Sequence, residues 1–369
     1  MNLERSMSSV HPAGRVVEVT AYPPPRTGWA IRVEFVKKRL EAEGHRCVVL
    51  NIGPSRHVPS AEYESIHGGG DLLRKVWRYA RQGYAVHAHA NGDAIKGAVL
   101  ALAVMLVSMA GGRRGILTFH AGAIQRYFPP ARSWAWTPLY WLLFQLPRTI
   151  ICNSDAVKAC IQQYGVPARK IFPIPAFSTQ YLEFNATPLP GPLEAFYARH
   201  PHVVFAYIRL RPLFYPLTIL DAIARINRER PDVGVVLCGA SAGHFEPDLK
   251  AAFEEKLAGL DLDGHICIVE DLGHDHFLTA LQRSALYLRT PITDGVASSV
   301  LESIAVGTPV VACDNGTRPK GVVLYPADDD ERMAAAVLDT IDNREAVMAG
   351  QAELELRDTV ADEVALLTR

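Results

Sequence analysis

The amino-acid sequence predicts an α/β protein made of two doubly wound parallel-sheet domains in tandem. Apolar, strand-like runs alternate with helical segments along most of the 369 residues. The runs are continuously apolar, which is typical of parallel strands covered by helices on both faces. A chain of this length exceeds one ordinary hydrophobic core, and a proline-rich stretch at 177–201 interrupts the alternation. These observations predict two domains of the same class.

The first half of the chain carries five predicted strands, separated by other segments that are mostly helical. The strands are expected at 15–20, 46–51, 84–89, 115–120 and 148–153, and residues 171–176 then lead out of this half. Asp71 and Asp93 are candidate caps for the second and third helices, because aspartate side chains accept hydrogen bonds from helix-terminal N–H groups. The polar stretch 52–70 is predicted to be a long loop.

The second half repeats the same alternation. Its strands are expected at 203–208, 233–239, 265–269, 285–289, 309–312 and 321–325, and helical pattern continues from residue 330. We place an N-terminal domain at 1–180, a C-terminal domain at 181–345, and a helical tail at 346–369 that can pack back toward the first domain. In such sheets, ligands bind at the carboxyl ends of the strands.

Composition excludes some functions and leaves others open. The net charge of −1 argues against a nucleic-acid partner, which would require a basic surface. The six cysteines are scattered, and no apolar signal core begins the chain, so reduced thiols in a cytosolic protein are expected. The apolar runs 97–109 and 134–146 are shorter than the roughly 20 residues of a spanning helix. The second run is rich in tryptophan, so core packing and contact with lipid headgroups both remain open.

Residues 293–312 form the most informative stretch. A loop of small residues leads into a helix at about Ser298, and a strand follows. Backbone N–H groups at a helix N-terminus bind phosphate well, whereas the flanking carboxylates Asp294 and Glu302 suit sugar hydroxyls. The stretch therefore indicates a sugar-nucleotide site. An alternative remains, because Ser299 and Glu302 have the spacing of a capping box that would serve only the helix.

This stretch resembles the E-x7-E signature of the retaining GT-B glycosyltransferases of the GT4 family. Asp294 stands at the position of the first glutamate and Glu302 at the second, and the match extends through 307–312 and 314–316. The resemblance implies the GT-B architecture, two Rossmann-like domains with an interdomain cleft. It also implies a nucleoside diphosphate-sugar donor, transfer with retention of configuration, and no metal or other cofactor.

The resemblance assigns roles to individual residues. Asp294 would contact the sugar ring, Glu302 the ribose, and His120 the donor sugar, although a strand-end histidine alone is usually structural. Catalysis is assigned to His120, Asp294 and Arg209. Donor binding is assigned to Gly28, Arg209, Arg211, Gly239, Glu270, Asp271, Gly295, Val296, Ala297, Ser298, Ser299 and Glu302. Each strand-end or turn residue in this set could equally be a cap or a turn former.

One departure from the family pattern matters. Phe214-Tyr215 occupies the positions of a Lys-Gly pair whose lysine neutralises the leaving diphosphate, and Arg211 is the candidate substitute. The expected function is transfer of a hexose-type sugar to a glycan, lipid-linked or small-molecule acceptor. A sugar-nucleotide epimerase and a catalytically inactive binding protein are the alternatives.

Two further patterns bear on partners. His87 and His89 have the spacing of metal ligands, but no third ligand is identifiable from the sequence, so no metal is predicted. Basic spots at 74–81 and 113–114 read as solvated surface or as contacts to anionic lipid. Peripheral contact with the inner face of a membrane is therefore a candidate property, and the oligomeric state is not indicated.

Overall fold

The computed structural model describes residues 14–23, 28–120, 122–240, 246–292, 297–351 and 357–369. The chain divides into two compact units, one formed by residues 1–176 with 358–369 and the other by residues 177–357. The chain thus enters the second unit at 177 rather than at the expected 181. The expected tail at 346–369 is shared, because its first part belongs to the second unit and its last helix to the first.

The first unit contains a seven-stranded sheet whose described strand pairs are all parallel. The order of its strands is β3-β2-β1-β4-β5-β6-β7. The strands are β1 (Arg15–Thr20), β2 (Arg46–Asn51), β3 (Glu64–Ser65), β4 (Ala85–Ala90), β5 (Ile116–Phe119), β6 (Thr149–Cys152) and β7 (Ile171–Pro173). The helices are α1 (Gly28–Ala42), α2 (Gly69–Arg81), α3 (Ile95–Ala110), α4 (Thr137–Gln145) and α5 (Asp155–Gln162).

Helix starts and one loop differ from the expectations in this unit. Helix α2 begins two residues before Asp71, whose carboxylate accepts the backbone N–H of His67. Helix α3 begins after Ala94, and the side chain of Asn91, not that of Asp93, accepts the backbone N–H groups that precede it. The loop after β2 also contains β3, which pairs with the end of β2.

The second unit contains a six-stranded parallel sheet in the order β10-β9-β8-β11-β12-β13. Its strands are β8 (His202–Tyr207), β9 (Val233–Cys238), β10 (Ile266–Val269), β11 (Leu286–Arg289), β12 (Val310–Cys313) and β13 (Val323–Tyr325). Its helices are α6 (Gly191–Arg199), α7 (Pro216–Glu229), α8 (Pro247–Gly259), α9 (His274–Arg283), α10 (Ser298–Ala305), α11 (Asp330–Asp342) and α12 (Arg344–Gly350). The predicted α/β class with two doubly wound parallel sheets is confirmed.

Both sheets reverse their winding at a central strand pair, which decides where side chains gather. In the first unit the reversal lies between β1 and β4, and in the second between β8 and β11. A crevice opens at the carboxyl ends of the strands at such a point. Residues that follow these strands are therefore brought together in space, however far apart they lie in the sequence.

The last helix, α13 (Thr359–Leu367), belongs to the first unit and packs against α1. A buried ion pair joins the two helices, with Arg32 Nε 2.8 Å from Glu363 Oε2. The same guanidinium donates to the side-chain and backbone oxygens of Thr359, each at 2.7 Å. An ion pair that is desolvated needs such additional hydrogen bonds to be stable. Among the described residues, no helix is both long and apolar enough to cross a bilayer.

Candidate active site

In the second unit, three of the predicted donor-side residues meet at the carboxyl ends of β8, β9 and β10. Arg209 follows β8, and its guanidinium lies 2.8 Å from the carboxylate of Asp271, beyond the end of β10. It also donates to the carbonyl oxygen of Gly239 at 3.2 Å. Gly239 has φ of +85°, and a Cβ there would lie 3.0 Å from the carbonyl oxygen of Ile208. Glycine is therefore required at this turn, which presents its carbonyl to Arg209.

A second arginine, Arg289, lies at the end of β11 and was not predicted. It is only 8% exposed although it is charged. Its guanidinium lies 5.7 Å from the ring centroids of both Tyr207 and Phe214. The guanidinium of Arg209 also contacts the Tyr207 ring, 5.0 Å from its centroid. Aromatic faces stabilise cations at such distances. Phe214, which replaces the family lysine, thus packs beside a different cation.

Glu302 lies in the middle of α10 and is half-buried. Desolvation raises the pKa of its carboxyl group to about 8, although the positive charge of Arg289 acts in the opposite direction. Its carboxyl group has no hydrogen-bond partner in the part of the chain that the structure describes.

The capping-box interpretation of Ser299 and Glu302 is wrong. Helix α10 follows Ala297, and no side chain of the described residues caps its start. Ser299 lies inside the first turn and its hydroxyl accepts a hydrogen bond from the Tyr287 hydroxyl at 2.8 Å. The side chain of Ser299 is thus used to tie the helix to β11, and Glu302 does not serve the helix end.

The remaining predicted donor residues divide into two groups. Asp294, Gly295 and Val296 lie outside the described residues, whereas Ala297 is buried and Ser298 begins α10. Three others are exposed: Gly28 at the start of α1, Arg211 before a short 3₁₀ turn, and Glu270 after β10. The anion-binding role of the loop before α10 stays a prediction.

In the first unit, the predicted residue His120 follows β5 and is held on two sides. Its ring stacks on Trp29 with centroids 4.2 Å apart, and its Nε2 lies 2.9 Å from Nδ1 of His89. Trp29 is itself fixed by a hydrogen bond from its indole to the Thr20 hydroxyl at 2.6 Å. Burial and the neighbouring His89 hold the pKa of His120 well below the ordinary histidine value. The side chain is therefore a neutral imidazole near pH 7.

Glu18 supplies the third group near His87 and His89 that the sequence did not reveal. The three side chains are buried and have possible ligand atoms within 4.8 Å of one another. However, both ring nitrogens of each histidine already have protein partners: Glu18 and Thr118 for His87, Glu18 and His120 for His89. A metal ion would have to displace these bonds, so we interpret the group as a hydrogen-bonded network.

Two family descriptions match the chain, and together they cover both units. Glycosyltransferase Family 4 matches residues 27–177, and Glycosyl transferases group 1 matches residues 197–352. The chain belongs to the GT4-like glycosyltransferases with the GT-B fold. Among curated protein sequences, none matches it significantly.

Solved structures with low sequence identity share the fold of this glycosyltransferase. Anabaena Alr3699/HepE in complex with UDP and glucose is 17% identical with a TM-score of 0.70, and the match covers 95% of this chain and 98% of that one. A glycosyltransferase from Rickettsia africae is 14% identical with a TM-score of 0.65, with 96% of each chain covered. A Listeria monocytogenes protein, provisionally a UDP-N-acetylglucosamine 2-epimerase, is 15% identical with a TM-score of 0.64, covering 96% and 95%.

The residues that the sequence missed in this transferase have one feature in common. Both are charged residues at buried strand positions: Glu18 stands between valines in β1, and Arg289 ends β11. A charge inside a buried strand must be paired or functional, because its transfer from water is costly. That rule could have identified both residues from the sequence.

Proposed function

We propose that this glycosyltransferase moves a hexose-type sugar from a nucleoside diphosphate-sugar, with retention of configuration. The observation that carries the proposal is the gathering of Arg209, Arg289 and Glu302 at the carboxyl ends of the second sheet. Two cations suit a diphosphate, and a carboxyl group with no described partner suits ribose hydroxyls. UDP in the complexes of the Anabaena protein makes UDP-sugars the first donors to test.

In this scheme the cations replace the missing lysine. Arg289 and Arg209 would stabilise the negative charge that develops on the leaving diphosphate, together with the helix dipole of α10. Backbone N–H groups of 295–299 would hold the phosphates, and Asp294 the sugar hydroxyls. No metal ion is needed, because these groups supply the positive charge. The acceptor would bind in the first unit near Gly28 and His120, and the predicted interdomain cleft stays a prediction.

The test is a donor screen followed by matched variants. Thermal shifts are measured with UDP-, GDP-, ADP- and dTDP-sugars, since a bound ligand raises the melting temperature. We expect one nucleotide class to stabilise the protein, and Arg209→Met and Arg289→Met each to weaken that effect by about tenfold or more in affinity. Arg225→Met is the control, because Arg225 pairs with Asp330 elsewhere in the same unit. Unchanged donor binding in both variants would refute the proposed donor site.

The epimerase alternative is favoured by the similarity to the Listeria protein. An epimerase uses the donor without an acceptor, so incubation of each UDP-sugar alone, followed by NMR of the sugar, separates the two activities. A transferase gives nucleotide and glycosylated acceptor, and an epimerase gives an epimeric donor. A binding protein that has lost catalysis, which the replacement of the lysine by Phe214 would favour, gives stabilisation without either product.

We further propose that the first unit contacts an anionic membrane surface. Helices α2, α3 and α4 pack side by side, and large apolar side chains stand exposed on and before them. Trp77 and Trp141 are each 50% exposed and Trp134 is 85% exposed. Tryptophan favours the headgroup region of a bilayer because its ring is apolar and its N–H is polar.

Basic side chains without a carboxylate partner lie in the same unit. They line two openings of about 420 and 550 Å³ at the amino ends of the strands. Within the described residues none of the following forms an ion pair: Arg15, Arg113, Arg114, Arg148, Arg169 and Lys170. Burial, and the charge of Arg114, lower the pKa of Lys170 to about 8. The lowered pKa of Lys170 reflects in part repulsion between neighbouring cations, and anionic headgroups would stabilise such a group of positive charges.

Vesicle co-sedimentation tests the contact. We expect binding to phosphatidylcholine vesicles only when they contain phosphatidylglycerol, and release at high salt. The double change Arg113→Gln and Arg114→Gln should weaken binding by about 2 kcal/mol, roughly 30-fold. Leu213→Ser is the control for a change at an exposed position outside the first unit, because Leu213 is an exposed residue of the second unit. Binding that is insensitive to lipid charge would refute the contact.

A further inference from the structure

A chain of buried hydrogen bonds runs from the middle of β1 to the predicted sugar-contacting residue His120. Glu18 is fully buried within an apolar strand, and its Oε2 lies 2.9 Å from Nε2 of His89. His89 Nδ1 in turn lies 2.9 Å from His120 Nε2. His89 is nearly fully buried and lies between the other two groups. The three side chains come from β1, β4 and the end of β5, so the strand order of the sheet creates the chain.

The carboxylate at the inner end of the chain is ionised. Burial by itself would raise the pKa of Glu18, but the charge of His87 and hydrogen bonds from His87 and His89 outweigh burial and lower it to about 2. Burial likewise opposes the charged form of His87, yet Glu18 raises the pKa of this imidazole above its ordinary value. His87 Nδ1 is 2.8 Å from Glu18 Oε2, so these two residues form the charged pair.

The positions of the protons follow from this charge. Burial and the charge of His87 lower the pKa of His89, so this imidazole is neutral near pH 7. An ionised carboxylate only accepts hydrogen bonds, so the proton of neutral His89 must be on Nε2, facing Glu18. Nδ1 of His89 is then an acceptor, and among the described residues its hydrogen-bond partner is Nε2 of His120. Neutral His120 must therefore carry its proton on Nε2. Its other nitrogen, Nδ1, is left with a lone pair and has no hydrogen-bond partner within the described residues.

We propose that Glu18 and His89 are positioning residues that fix the tautomer of His120, so that its Nδ1 accepts a hydrogen bond from a ligand hydroxyl group. The inference rests on the proposed function for the ligand, because a sugar or an acceptor alcohol supplies that hydroxyl. Trp29 completes the arrangement by stacking on the imidazole and limiting its rotation. A nitrogen of this kind favours a hydroxyl over a phosphate or carbonyl oxygen, since these oxygens cannot donate a proton.

The tautomer is measured directly in the unliganded protein. Long-range ¹H–¹⁵N NMR of ¹⁵N-histidine-labelled protein distinguishes a protonated from an unprotonated ring nitrogen. We expect the Nε2–H form for both His89 and His120, and His89→Gln should leave His120 with a mixture of tautomers. An Nδ1–H form of His120 in the wild-type protein would overturn the proposal. So would a stoichiometric metal in the purified protein, measured by elemental analysis, because a metal would occupy the nitrogens that the chain uses.

The effect on turnover is measured with UDP-glucose as the first probe, by the release of UDP in the presence and absence of acceptors. His89→Gln should lower kcat by about 10- to 100-fold, by analogy with the removal of residues that orient a metal-ligating histidine. UDP binding, which we propose for the second unit, should not change. In addition, His89→Gln should cost almost nothing further in a His120→Gln background, because the two residues act as one unit.

The outcomes separate this inference from the function on which it rests. If the losses in kcat of the two single variants multiply in the double variant, His89 acts independently of His120 and its proposed positioning role is refuted. If His120→Gln retains full turnover while NMR of the wild-type protein shows the Nε2–H tautomer of His120, the hydrogen-bond chain exists as described. The proposed role of His120 in turnover is then refuted instead. Glu18→Gln is a second variant, and the NMR readout on the wild-type protein decides the tautomer even if that variant does not fold.

Discussion

Glu18 in the first unit and Glu302 in the second are both carboxyl groups removed from water, and the outcome is opposite. The pKa of Glu18 falls to about 2, and that of Glu302 rises to about 8. Desolvation is the largest contribution in both cases. The difference lies in their partners. Glu18 accepts hydrogen bonds from two imidazoles, whereas the effect of burial on the pKa of Glu302 is counteracted by the charge of Arg289 without a described hydrogen bond. A satisfied carboxylate supports a structure, and one without a described partner is available for a ligand.

The largest expected effect on stability comes from removing the hydrogen-bonded carboxylate of Glu18. Glu18→Ala leaves His87 buried beside no counter-charge, so we expect a loss of about 3–5 kcal/mol in the free energy of unfolding. Urea denaturation followed by circular dichroism measures it. Glu62→Ala is the control, since the Glu62 side chain is 59% exposed and its partner Lys37 also pairs with Glu41, so the change should cost about 1 kcal/mol or less. Equal losses in the two variants would show that the buried network around Glu18 stabilises the fold no more than the Glu62 ion pair does.

Removing the other carboxyl group should instead affect function. Glu302→Ala is expected to lower kcat/KM for the donor by about 100-fold, the value of hydrogen bonds to a bound ligand, with little change in the free energy of unfolding. Glu302→Gln should lose less, because the amide resembles the protonated carboxyl group in shape and can still bind a hydroxyl. Full activity of Glu302→Ala in a folded protein would remove Glu302 from the site.

The two carboxyl groups also show what could be predicted from the sequence. The alternation of strands and helices, and the meeting of Arg209, Gly239 and Asp271 at strand ends, follow from local patterns and from the rule for parallel sheets. The network around Glu18 does not, because it depends on β1 lying beside β4 and β4 beside β5. Local spacing does not give strand order. The helix starts near Asp71 and Asp93 failed for a related reason, since neighbouring loops supply other partners.

Arg289 offers an intermediate test of the comparison. Arg289→Met removes a cation that lowers the pKa of Glu302, so this pKa should rise above 8, and donor affinity should fall by about tenfold or more. NMR of the Glu302 side-chain carboxyl carbon, titrated in both proteins, measures the pKa. An unchanged titration would show that the two groups are not coupled.

The smallest expected effect is the dependence of stability on pH. Because the pKa of Glu302 is higher in the folded than in the unfolded protein, folding retains a proton between about pH 4.5 and 8. Its contribution to stability is therefore complete below the unfolded pKa and is lost as pH rises through about 8. Glu18 has the opposite sign, since its lowered pKa gives a contribution that is lost as pH falls from about 4.5 to 2.

Glu302→Gln isolates the alkaline side of this profile. The substituted side chain does not titrate, so its melting temperature should fall less between pH 6 and pH 8.5 than that of the wild-type protein, by roughly a few degrees. Glu18 cannot contribute in this range because it is ionised throughout in both the folded and the unfolded chain. Parallel profiles for the two proteins would mean that Glu302 is already ionised near pH 6 in the folded state. The contrast with Glu18 would then be one of location and not of protonation, and a hydroxyl-binding role for Glu302 would require a carboxylate instead of a neutral acid.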